Sequence, residues 1–152
     1  MSASPASSPE TSLRERLARR GREFAAREAE HAEGVASARR CAEALRARVC
    51  EAVEAFERAA AEAGGSPLGI EVSAPRLDDK HVRSVQFDLR RGRNVAIVTA
   101  KSRGDVTLVG PFHAGKTEGP CASYRTHSPD DAELARGLAA FLERFLDEAT
   151  AP

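Results

Sequence analysis

Residues 84–110 read SVQFDLRRGRNVAIVTAKSRGDVTLVG. Val85, Phe87 and Leu89 alternate with Gln86, Asp88 and Arg90, the period-two pattern of a strand with one buried face. Arg91-Gly92 then turns the chain into Asn94–Lys101, where Val95, Ala96, Ile97, Val98 and Ala100 make both faces apolar and predict a central strand. Arg103-Gly104 turns again into Val106, Leu108 and Val109. Three such runs joined by short glycine-containing turns predict an antiparallel meander. Upstream, Leu68, Ile70, Val72 and Ala74 alternate in the same way and predict a strand that Pro75 ends. Downstream, Cys121 to Thr126 predicts a short edge strand.

Helices flank this sheet on both sides in sequence. Ser128-Pro129-Asp130-Asp131 carries a capping residue, a proline and two acids, the signals of a helix start. Leu134, Leu138, Phe141, Leu142, Phe145 and Ala149 follow on one face, which predicts packing on the sheet. Ahead of the sheet, no proline occurs from Thr11 to Ala63, and Ala, Arg, Glu and Leu dominate, all good helix formers. Alternating steps of four and three from Leu17 reach Gly21, Phe24, Glu28, His31, Val35, Ala38, Ala42, Leu45, Val49, Ala52, Phe56, Ala59 and Ala63. An apolar repeat of about 3.5 residues marks a supercoiled seam. Its weak stretch lies between Gly21 and Gly34, where Gly34 marks a place for a break. Gly64-Gly65 predicts the C-terminal stop. The expectation is therefore α+β, with a coiled-coil-like N-terminal helix, a four- to five-stranded antiparallel meander, and a C-terminal helix on the sheet. Residues 1–12 read as a disordered tail, 13–63 as the helix, and 67–150 as the sheet with its closing helix.

The chain has 152 residues and 23 bases against 23 acids. A zero balance argues against a dedicated polyanion binder. With 5% aromatic residues and no tryptophan, base stacking has few platforms. No apolar run reaches the roughly 18 residues of a membrane span, and no signal-peptide core follows the first residues. Cys41, Cys50 and Cys121 form an odd set, which predicts free thiols and a cytoplasmic setting. The excess of arginine over lysine is read as codon economy in a GC-rich, bacterial genome. Charged pairs such as Glu23/Arg27 and Glu54/Arg58 read as a solvated face with local helix support.

One motif bears on chemistry. Gly110-Pro111-Phe112-His113-Ala114-Gly115-Lys116-Thr117 fits the spacing of a phosphate-cradling loop. Such a loop must feed a helix whose free amides face the anion, yet Glu118-Gly119-Pro120 follows, and proline forbids that helix. The expectation is a surface crossing between the last meander strand and the closing helix. A phosphate or nucleotide site built from Gly110, Gly115, Lys116 and Thr117 is the alternative. Arg90, Arg91 and Arg93 at a hairpin tip offer a third reading, nucleic-acid contact. His113, Cys121 and His127 with Asp130 match no compact metal spacing, and Cys121 with a histidine matches no nucleophile motif.

Taken together, the residues predict a non-enzymatic interaction or scaffold protein without cofactor or metal. It would dimerise through Leu17, Phe24, His31, Val35, Ala38, Leu45, Val49 and Phe56. A further protein partner is open, and neither nucleic acid nor a membrane is expected as a partner.

Overall fold

The computed structural model describes residues 9–78, 83–116 and 119–151, with side chains from Ser12 onward. Helix α1 runs over Pro9–Glu62 as one helical element. It is followed by strands β1 (Glu71–Val72), β2 (Arg76–Asp78), β3 (Ser84–Arg91), β4 (Asn94–Lys101), β5 (Val106–His113) and β6 (Cys121–Tyr124), and by helix α2 (Ala132–Ala149). The chain divides into two compact units between Glu33 and Gly34. The first turn of α1 takes in Pro9 to Ser12, which the sequence assigned to the tail; the earlier residues lie outside the described ones.

The second unit holds the sheet. Its order is β1-β3-β4-β5-β6, every pair antiparallel, with β2 also on β3. The predicted meander is therefore present, with more strands than expected. Of the strand predicted over Leu68–Ala74 only Glu71–Val72 is formed, and a further short strand not predicted, β2, follows Pro75, which has no N–H to give a ladder. Val85↔Ala100, Phe87↔Val98 and Leu89↔Ala96 face one another across β3 and β4. These six side chains are fully buried. They form one core with Ala38, Cys41, Ala42, Leu45 and Val49 of α1 and with Leu134, Leu138, Phe141 and Phe145 of α2. Both helices thus cover the same face of the sheet, and burying each valine, leucine or phenylalanine of this core is worth about 1.5–3 kcal/mol.

Gly34 does not break α1. A Cβ at this position would run into the carbonyl oxygen of Ser102 in the β4–β5 turn. Glycine therefore sits there because the hairpin's backbone comes up against the helix, at a helix-propensity cost of about 1 kcal/mol. Gly64 N–H donates to Ala61 O and Gly65 N–H to Ala60 O at 2.7 Å, closing α1 as predicted. At the other helix the cap is Asp131 rather than Ser128: its carboxylate accepts from Leu134 N–H at 2.9 Å.

The charges of α1 do more than face solvent. Arg46 donates to the carbonyls of Ser73 (2.7 Å) and Val72 (3.2 Å). Arg48 reaches the carbonyl of Pro129 and the carboxylate of Asp130. Glu57 accepts from the amides of Leu68 and Gly69. Helix side chains thereby satisfy backbone groups of the short edge strand β1 and of connecting segments. His127 adds a further tie. Its Nε2 lies 2.7 Å from Lys101 O and its Nδ1 2.8 Å from Ser37 Oγ. A carbonyl only accepts, so Nε2 donates to Lys101 O, and Nδ1 shares a hydrogen bond with the Ser37 hydroxyl.

Candidate interaction surface

The seam of α1 changes environment along its length. Ala38, Leu45 and Val49 are fully buried in the chain's own core. They are removed from the dimer seam the sequence predicted, because the chain's own sheet and α2 cover them. His31, Val35 and Phe56 are half-buried. Leu17 and Phe24 are 57% and 58% exposed, and Leu13, four residues ahead of Leu17, is 56% exposed. Leu13 was not among the predicted positions: the strict four-three step lands on Arg14 instead. Its signal was the i,i+4 spacing to Leu17, which puts both on one stripe. These are three of the four large apolar side chains most exposed among the described residues, Leu77 being the fourth. Isolated apolar residues on a surface are ordinary; three on one helical stripe form a face.

Charge is also distributed unevenly along this helix. From Leu13 to Arg22 there are five arginines and one glutamate; from Glu23 to Glu33 there are four glutamates and one arginine. None of these charged side chains is in an ion pair or a side-chain hydrogen bond with a described residue. The expected Glu23/Arg27 and Glu54/Arg58 pairs are not among the ion pairs formed. The i,i+4 pair of α2, Arg144 and Glu148, is at 3.8 Å.

The loop with phosphate-binding spacing has a different structure from the one predicted. Gly110 to His113 belong to β5, not to a loop. Gly110 and Pro111 stand together opposite the single Ala96, a bulge that tolerates proline. Gly110 has φ +111°, and a Cβ there would lie 2.9 Å from Val95 O. Its amide donates to Pro120 O, that of Ala114 to Arg93 O, and that of Lys116 to His113 O. Three amides of the pattern are thus spent on carbonyls, and strand β6 follows in place of a helix. Thr117 lies outside the described residues. Gly115 and Lys116 border a shallow hollow of about 400 Å³ on the outer sheet face with Arg90, Val95, Ile97, Val109 and Phe112.

The arginines of the first hairpin are partly engaged. Arg90 Nε is 3.0 Å from Asp88, and Arg91 Nε donates to Leu68 O at 3.2 Å. Arg93 is exposed. Asp88 is only 5% exposed. Burial alone would raise its pKa, but hydrogen bonds from Ser73, Arg90 and Arg76, with the Arg76 charge, outweigh this and hold it below the ordinary carboxylate value. This is an ion cluster of the fold. Cys121 is exposed at the start of β6, His113 ends β5, and His127 is held by Ser37 and Lys101. Among the described residues no three His, Cys, Asp or Glu gather as a metal site would require. Burial raises the Cys41 thiol to about 11. No helix is long and apolar enough to cross a membrane among the described residues. No family model, curated protein or solved structure matches this chain.

Proposed function

We propose that this chain is a non-enzymatic interaction protein that self-associates through the N-terminal stretch of α1. One observation carries the reading: the apolar stripe covered by the chain's own core from Ala38 onward is uncovered at Leu13, Leu17 and Phe24. Each of these side chains keeps more than half of its surface exposed, so covering it gains about 1 kcal/mol at the area rate of burial. Six such side chains in a pair supply about 5–6 kcal/mol before association costs. Association costs take up part of this, so the dimer is a weak one, with a dissociation constant above about 100 µM.

The test is light scattering on the full chain across concentrations up to the millimolar range. Wild type is expected to shift from monomer to dimer, and Leu17→Glu with Phe24→Glu to remain monomeric with an unchanged circular dichroism spectrum. A wild-type chain that stays monomeric throughout would refute the proposal.

A further inference from the structure

Resting on that self-association, we infer that the two helices pair antiparallel, with Phe24 of each copy opposite Gly21 of the other. Two separate features of residues 13–33 select this arrangement. The first is charge. The stretch to Arg22 carries a net +4 and the stretch from Glu23 a net −3, and none of these charges is partnered among the described residues. In a parallel pair each half would lie along its like, where juxtaposed like charges oppose association. In an antiparallel pair about the Arg22–Glu23 step, the basic half lies along the acidic half.

The second feature is shape. Gly21 and Phe24 occupy neighbouring positions on the stripe, and nothing lies within 4 Å of a Cβ built on Gly21. A two-fold axis beside the Arg22–Glu23 step, chosen by charge alone, also brings Phe24 over Gly21 of the second copy. The largest side chain of the stripe then fills the place where the stripe has none. The same register sets Leu13 opposite Ala32. Leu17 falls opposite Glu28, whose methylene stem can cover it while the carboxylate reaches the basic half. Paired helix axes sit about 8–10 Å apart, close to the Debye length of about 8 Å at physiological salt. Association is therefore salt-sensitive.

The experiment uses the full chain with Cys50→Ser and Cys121→Ser, leaving only the buried Cys41. Leu17→Cys and Glu28→Cys are oxidised separately and as a mixture, and products are read on a non-reducing gel. The expected result is a covalent dimer from the mixture alone, with the dissociation constant of the parent chain rising about tenfold between 50 and 500 mM NaCl. Cross-linking of Leu17→Cys with itself would establish a parallel pair and overturn this inference while leaving self-association standing. A dimer by light scattering that yields no cross-linked mixture would also overturn it. A chain with no dimer at all refutes self-association, and this arrangement with it.

Discussion

Replacing Gly34 by alanine sets two effects of opposite sign against each other. Helix propensity favours alanine over glycine in a helix interior by about 1 kcal/mol, so a chain in which Gly34 were merely a weak spot would gain that much. The structure places the backbone carbonyl of Ser102 where the new methyl must go, with the carbonyl carbon 3.3 Å away. Ser102 is held in a tight turn, where its amide donates to Arg83 O at 3.0 Å. It cannot swing aside as a side chain could, so helix and hairpin must separate locally. Overpacking of this kind costs about 1–3 kcal/mol. The net expectation is a loss of about 0–2 kcal/mol, up to roughly 8 °C in Tm for a unit of this size, in place of the gain of about 1 kcal/mol. Ala36→Gly, at an exposed position of the same turn, calibrates the propensity locally and should cost about 1 kcal/mol. Urea unfolding of the three chains followed by circular dichroism measures both differences. If Gly34→Ala gains stability by the amount Ala36→Gly loses, the close approach of hairpin and helix is refuted.

The stripe itself offers a contrast: Leu45→Ala should cost about 2–5 kcal/mol of stability, whereas Leu17→Ala should leave the unfolding midpoint within about 0.5 kcal/mol under monomeric conditions, measured by denaturant titration. Because the folded pKa of Asp88 is lowered, its contribution is present above the unfolded carboxylate value and is lost as pH falls through the folded value. Asp88→Asn should therefore lose stability at pH 7 and flatten the dependence below about pH 4, which acid titrations of both chains would show. With a thiol reagent at pH 8, exposed Cys121 should react fast and Cys41 only on unfolding; mass spectrometry of the timed reaction would contradict the burial if Cys41 were modified first. His127→Phe, which removes the ring's hydrogen bonds to Lys101 O and Ser37 while Lys101 O keeps the one from Gly104 N–H, should cost about 1 kcal/mol for each bond lost in the same unfolding assay.

Much of this fold can be read from residues alone. The meander follows from Val85, Phe87, Leu89 and the apolar run after Asn94, since alternation and turn glycines act locally. What covers the α1 stripe cannot be read this way. Ala38, Leu45 and Val49 repeat at the same interval as Leu17 and Phe24, and a helix needs that periodicity whether a sheet or another helix buries it. The extension of β5 through Gly110 and Pro111 was hidden because both residues signal a turn; only the bulge opposite Ala96 gives a proline a strand position with no ladder amide to supply. Arg46, Arg48 and Glu57 looked like solvated charges because, the Asp130 carboxylate beside Arg48 apart, their partners are backbone groups, which have no residue type to reveal them. The candidate surface was half legible: Leu17 and Phe24 came from the repeat, while Leu13 lay one step off it.

Pro75 has an effect beyond dividing β1 from β2. A sheet's outermost strands carry unpaired amides and carbonyls that can recruit further strands and lead to aggregates, and short or proline-interrupted edges guard against this. On one side of this sheet the described edge is a two-residue strand and a three-residue strand separated by Pro75 and covered in part by Arg46; on the other it is the four residues of β6. Neither described edge offers a run long enough to template fibrillar stacking. A chain whose strand edges are this poorly suited to recruitment can leave an apolar helical stripe uncovered with little risk of indiscriminate clumping.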